Sequence, residues 1–257
     1  MRVHVTGAGG FIGRHLVPAL VRAGHEVQPA AAGAEVIVHL AGIAHRKAGA
    51  DELQEVNVRL PERVARQAPR FVFMSSVKVH GERSEVPFTE RSPIRPEDAY
   101  GESKARAEDA LRAIAGLKLV VLRPPLVYGP RVKANFLALM RAVARGWPLP
   151  LASIDNRRSL VYVGNLVDAI LCSLDREGTY LLSDGEAIST PQLCREIAVA
   201  LGTRARLLPF PPALLPPKLA ASLEVDDSAL RRAGWQPKLS RGEGLRATAE
   251  WLKAPER

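Results

Sequence analysis

The stretch RVHVTGAGGFIG, residues 2 to 13, constrains this chain more than any other. RVHVT (2–6) reads as a strand, and GGFIGRHLVPALVRAG (9–24) has the apolar spacing of a helix that Gly24 ends. Between them the glycines at 7, 10 and 13 make a turn with little side-chain bulk. Three more apolar runs follow: EVIVHLAG (35–42), RFVFMSSV (70–77) and LKLVVLRPPLVYG (117–129). They are nearly continuous rather than alternating, as strands buried on both faces are. Helical patterns fall between the later ones, at 51–68 and from Tyr100 to about Ala115. Strand, helix and strand in alternation predict an α/β fold with a doubly wound parallel sheet.

After Gly129 the alternation weakens. NFLALMRAVARG (135–146), VGNLVDAILCSL (163–174) and TPQLCREIAVALG (190–202) read as helices, the last entered through Thr190 with Pro191 in its first turn. LLPFPPALLPPK (207–218) is too rich in proline for a regular helix. These patterns divide the chain into a nucleotide-binding unit, 1–130 plus about 155–185, and a small substrate lobe, about 131–154 and 186–257.

Composition narrows the function classes. With 257 residues the chain suits one sizeable unit with an appended lobe. The +9 net charge is carried by residues scattered along the sequence, matching no nucleic-acid motif. Cys172 and Cys194 have neither CxxC spacing nor a nearby histidine, so neither a disulfide nor a metal site is expected. No apolar run reaches the roughly 18 residues of a membrane span, and no leader precedes the first strand, which predicts a cytoplasmic protein.

The glycine turn spells G-x-x-G-x-x-G, not the dinucleotide fingerprint G-x-G-x-x-G, because Ile12 holds the last glycine position. Its place between a strand and a helix still lets backbone approach a pyrophosphate at the helix's positive end. Further on, AYGESK sets Tyr100 and Lys104 four apart, on one helix face. An ammonium beside a phenol favours phenolate and draws its pKa down, which predicts a proton carrier. MSSVKVHG, about 24 residues earlier, adds serines at a strand end, where open α/β sheets place their sites.

Together TGAGGFIG, VHLAG, SSVKVHGE, YGESKARAE, LRPPLVYGP, NRRSLVYVGNLVDAI and EVDDSALRRAGWQP resemble the extended short-chain dehydrogenase/reductases that act on nucleotide sugars. The resemblance implies a Rossmann sheet and NAD or NADP as cofactor. It makes Tyr100 the general acid or base, Lys104 its pKa helper and ribose ligand, and Ser76 the partner serine. It places Gly7, Gly10, Phe11, Ile12 and Gly13 on the pyrophosphate and Leu40 and Ala41 along the cofactor. Ser76, Lys78, Asn135 and Arg158 fall at substrate positions, the last by charge-assisted bonds to phosphate. The implied partner is a UDP-linked hexose, with homodimer pairing through 51–68 and 100–115 and a place in polysaccharide sugar synthesis.

Departures from the family sort the activities. Val77 and Lys78 stand where 4,6-dehydratases carry an Asp-Glu pair, which argues against dehydration. Between HEVQ (25–28) and EVIVHLAG there is only PAAAGA, too short for a helical crossover. The sheet is therefore expected to lose one strand after residue 29 and to leave the adenine site open. Gln28 and Pro29 offer no carboxylate or cation for the ribose, a gap that Arg46 and Lys47 are candidates to fill. Leu126 replaces an asparagine common in 4-epimerases, and His80, in place of a tyrosine, reads as packed beside the site. A weak cofactor grip favours a 4-ketoreductase, with a 4-epimerase second and a non-catalytic cofactor-binding module as the reading from another class.

Overall fold

The computed structural model describes residues 1–44 and 48–254, so Arg46 and Lys47 lie outside the described residues. The first half runs β1 (Arg2–Thr6), α1 (Gly13–Arg22), β2 (Glu26–Gln28), β3 (Val36–His39), α2 (Ala50–Leu53), a π-helical turn (Gln54–Arg59), α3 (Leu60–Ala65), β4 (Arg70–Met74), α4 (Ala99–Arg112) and β5 (Lys118–Arg123). The rest runs β6 (Leu126–Tyr128), α5 (Ala134–Ala144), β7 (Pro148–Leu149), β8 (Leu160–Tyr162), α6 (Val163–Cys172), β9 (Gly178–Leu181), α7 (Thr190–Leu201), β10 (Arg206–Leu207), α8 (Pro217–Ala220), α9 (Ser228–Arg232) and α10 (Arg241–Lys253).

The main sheet has six strands in the order β2-β1-β3-β4-β5-β9, all parallel. Strand periodicity sends alternate residues to opposite faces. Val3, Val5, Val36, Val38, Val72 and Leu122 meet Leu16 and Leu20 of α1 and Leu166 and Ile170 of α6. Ile37, Phe71, Phe73 and Val121 meet Ala65 of α3 and Ala107 and Leu111 of α4. Both faces are covered, which is why these strands read as continuous apolar runs.

From β1 the chain moves outward to β2, then returns to β3 on the other side of β1. The return, residues 29–35, is a bare turn closed by Ala34 N–H on the Ala31 carbonyl. A helix-covered crossover needs a dozen or more residues, so the outer strand is absent and β2, three residues long, is the edge. The reversal makes the crevice above the ends of β1 and β3 the topological switch point.

Two details differ from the sequence reading. Residues 117–129 form two strands, because Pro124 and Pro125 lack the N–H groups a ladder needs; β6 leaves the main sheet to pair with β8. The cap of α7 is Ser189, whose hydroxyl accepts from Gln192 N, with Thr190 already inside the helix.

The second half builds its own core from Phe136 and Met140 of α5, Leu193 and Ile197 of α7 and Leu245 of α10. Leu230 and Trp235, from the 186–257 segment assigned to the lobe, pack instead in the sheet's core. Residues 209–220 are irregular apart from a 3-10 turn at Pro212–Leu214 and the single turn of α8. Among the described residues no helix is long and apolar enough to cross a membrane.

Candidate active site

The glycine turn is shaped by contacts that exclude side chains. Gly7 has φ +71°, and a Cβ there would lie 2.8 Å from Ala41 N; one at Gly13 would collide with the Gly7 carbonyl oxygen. The turn therefore nests directly against Leu40 and Ala41 at the end of β3. At the start of α1 no side chain caps the helix and no carboxylate sits in the first turn; Arg14 and His15 N–H bond the Gly10 and Ile12 carbonyls, which leaves the N–H groups of Phe11, Ile12 and Gly13 to meet an anion. Bare backbone, free donors and the positive end of a helix together fit a dinucleotide pyrophosphate. Phe11 and Ile12 belong to the same turn, both packed against the lobe's core.

From this cradle the site continues without a gap toward α4. A Cβ on Gly42 would lie 3.4 Å from Lys104 Nζ and 3.2 Å from Asn57 Oδ1. Lys104 is buried, donates to the Met74 carbonyl at 2.8 Å, and holds Nζ 4.7 Å from the Phe73 ring centre and 5.9 Å from that of Tyr100. Ser76 lies two residues past the end of β4; its hydroxyl accepts from Lys78 N at 3.2 Å and interacts with the Tyr100 phenol. The sequence-predicted trio thus converges at the carboxyl ends of β1, β3 and β4, beside the glycine cradle.

The expected electrostatics are corrected by burial. Tyr100 is not acidified: loss of solvent, then the Asp98 carboxylate, push its phenol up to about 12, against the easing effect of Ser76. Lys104 is drawn down to about 8 by loss of solvent, opposed by Glu108. The ammonium spends a donor on a carbonyl and faces the phenol only across the ring, so desolvation wins over their mutual attraction.

Other predicted residues have different surroundings. The Lys78 ammonium lies 2.7 Å from both Glu82 Oε1 and Asp98 Oδ2. Burial pulls it down, but these carboxylates outweigh that and hold it above the usual lysine value. Arg158 Nη1 donates to the carbonyls of Lys218 and Ala221 at 3.1 and 3.0 Å. Asn135 is exposed in the first turn of α5. Leu126, in β6, is 41% exposed.

Several residues of the site escaped the sequence reading. Asp98 caps α4, accepting from Gly101 N at 2.7 Å. The D-x-x-G pattern ahead of an apolar helix face was the signal that could have found it. Asn57, in the π-helical turn, accepts from Ile43 N at 2.8 Å and donates to Ser103 Oγ at 2.9 Å, stitching the β3 exit to α4. Beneath Ser76, Glu108 accepts from Ser75 Oγ at 2.5 Å, Arg123 Nε at 3.0 Å and Arg112 Nη2 at 2.7 Å, and forms an ion pair with Arg123. Arg123 has no lone pair to offer, so its Nη1 donates to His80 Nε2 at 3.0 Å, and His80 Nδ1 carries the proton donated to the Pro93 carbonyl. Burial holds His80 below its ordinary pKa, with Arg123 reinforcing the effect, and the imidazole is packed behind the site rather than facing the cleft.

The chain as a whole is similar to known proteins. The family model described as the NAD dependent epimerase/dehydratase family matches residues 28–181. A UDP-glucose 4-epimerase of Vibrio cholerae is 39% identical over 256 residues, covering 86% of this chain and 78% of its own. A dTDP-4-dehydro-6-deoxyglucose reductase of Escherichia coli is 27% identical over 188 residues, covering 68% of this chain and 59% of its own. The solved structure of a Thermus thermophilus UDP-glucose 4-epimerase in complex with NAD matches with a TM-score of 0.82 at 27% identity, covering 99% of this chain and 100% of that one.

Proposed function

The chain belongs to the NAD-dependent epimerase/dehydratase family, and from that premise we propose that it is an NAD(P)-dependent enzyme acting at C-4 of a UDP-linked hexose, as a reductase of a 4-keto sugar. The observation that carries this reading is the convergence of Ser76, Tyr100 and Lys104 beside the glycine cradle. A binding module has no use for a proton carrier, which argues against a non-catalytic role. When bound, the nicotinamide supplies the hydride that reaches C-4. Tyr100 gives its phenolic proton to the C-4 oxygen as the carbonyl becomes a hydroxyl, and Ser76 donates a hydrogen bond to the same oxygen. Lys104 keeps donors left over from its bond to Met74, and with these it holds the cofactor ribose.

Two features support reduction. A phenol at about 12 keeps its proton at neutral pH and is ready to give it. At the adenine side, Pro29, Ala30, Ala32 and Gly33 are exposed beside the short edge strand, so the cofactor is gripped loosely enough to exchange at each turnover. The second reading, a UDP-hexose 4-epimerase, is favoured by the 39% identity to an enzyme of that name. Both readings place the protein in the cytoplasm, supplying sugars for polysaccharide synthesis, as a homodimer paired through 51–68 and 100–115.

Incubation with NADH or NADPH and a UDP-4-keto sugar separates the readings by absorbance of the reduced nicotinamide. Steady oxidation, lost by at least about a hundredfold in Tyr100→Phe, supports reduction. Interconversion of UDP-hexoses without net oxidation supports epimerisation. If neither occurs while dinucleotide still binds, the enzyme reading fails and the binding module stands.

A further inference from the structure

Much of the chain's excess positive charge falls in two segments of the lobe. Residues 131–155 and 190–217 hold seven Lys and Arg against two carboxylates, so five of the net nine charges lie in these two segments. One of those carboxylates, Glu196, is already engaged by Arg241 at 2.8 Å.

Apolar side chains are exposed in the midst of this charge. β7 and β10 pair in parallel with Arg206 opposite Pro148 and Leu207 opposite Leu149. Leu149 and Leu207 turn toward the lobe's core, so strand periodicity puts Arg206 and Leu208 on the outward face of the ribbon beside Pro148 and Pro150. Trp147, at the ribbon's start, is 54% exposed; the Arg145 guanidinium lies 5.2 Å from its ring centre, and Arg206 donates to the adjoining Gly146 carbonyl. Leu208 is 49% exposed, and six residues on Leu214 is 72% exposed. The segment carrying them ends at the catalytic cleft, where Lys218 forms an ion pair with Glu82, the partner of Lys78.

An indole with one guanidinium at its ring and a second on the adjoining carbonyl, near exposed leucines and prolines, has the chemistry of a headgroup boundary: aromatic rings seat at that level, leucines enter the acyl edge, and cations meet anionic phosphates. We propose that the outer end of the lobe, through Trp147, Leu208 and Leu214 with Arg145 and Arg206, docks peripherally on an anionic phospholipid surface. The docked protein carries its cleft close to the membrane boundary. Nucleic acid is the weaker match for the same charge, since leucines and prolines add nothing to phosphate binding and the ribbon offers one stacking ring.

The surface does not depend on the reaction assigned to the cleft, so docking is read without turnover. Full-length protein is sedimented with vesicles of phosphatidylcholine containing roughly one-third phosphatidylglycerol, and with pure phosphatidylcholine vesicles. Expected is at least about tenfold stronger binding to the anionic vesicles, reversed by high salt, with a blue shift of tryptophan emission. Trp235 is buried and Trp251 packs against the lobe's core, so Trp147→Phe, compared with Trp251→Phe as a control, should abolish most of the shift yet keep sedimentation. Leu208→Ser with Leu214→Ser should weaken sedimentation about tenfold while leaving the melting temperature unchanged, since both side chains are exposed. Equal binding to neutral vesicles, an unaltered double variant, or preference for single-stranded RNA over the anionic vesicles would overturn the proposal.

Discussion

Replacing Glu108 by Gln removes the one carboxylate that serves Ser75, Arg112 and Arg123 at once. Glu108 is 1% exposed and Arg123 2%, so the change leaves a buried guanidinium without its counter-charge. Breaking such a pair from one side costs about 3–5 kcal/mol, far more than the pair gained over water, because the surviving charge is stranded. With an unfolding entropy of about 2.1 cal/mol/K per residue, that loss lowers the melting temperature of a chain this long by about 6–9 °C. Thermal melts followed by circular dichroism at pH 7.5 measure it. Adding Arg123→Met to Glu108→Gln should return part of the loss, since no charge is then buried unpaired. Despite the cost of burial, Arg123, Ser75 and Arg112 hold the Glu108 carboxyl below its usual value. Its stabilisation is therefore complete above the carboxylate range and lost as pH falls through the folded value, and the gap between wild type and Glu108→Gln should narrow in acid. A shift under about 2 °C at pH 7.5, or a double variant worse than the sum of its parts, would refute the reasoning.

His39 lies between β1 and the phenylalanines of β4, and loss of solvent draws it down to about 3, with Lys104 adding to the effect. The unfolded chain binds its proton below about pH 6.5 while the folded chain does not, so stability should fall as pH drops below that value, reaching about 2 kcal/mol by pH 5. Urea midpoints across that window should show a shallower slope in His39→Gln; an unchanged slope would assign the effect elsewhere, His80 being the next group held neutral by burial. Lys78→Met frees the Asp98 charge, which already opposes ionisation of Tyr100. The alkaline limb of the rate profile should move to higher pH and return with Lys78→Arg; a limb that stays put would mean Asp98 is screened by other means. Gly7→Ala forces a left-handed backbone on alanine and a Cβ onto Ala41 N, so dinucleotide affinity by fluorescence quenching should fall at least about tenfold. Unaltered affinity would remove the glycine turn from the cofactor site.

Much of the architecture was legible before any coordinates. Strands buried on both faces leave continuous apolar runs, helices leave spaced ones, and seven residues between β2 and β3 cannot hold a covered crossover. Those are local constraints, and local sequence records them. The spacing of Tyr100 and Lys104 was equally legible, because four residues of helix determine a shared face. Their protonation was not, since solvent exclusion by Phe73, Met74 and β3 acts over residues far apart in the chain. The same holds for Glu108 with Arg123, for Asn57 with Ser103, and for Arg206 with Gly146, which the pairing of β7 and β10 brings together. The chain by itself determined which elements form and which side chains can carry the chemistry. Tertiary structure alone decided what each of them faces, because desolvation and charge depend on neighbours in space, and folding chooses those neighbours without regard to their distance along the sequence.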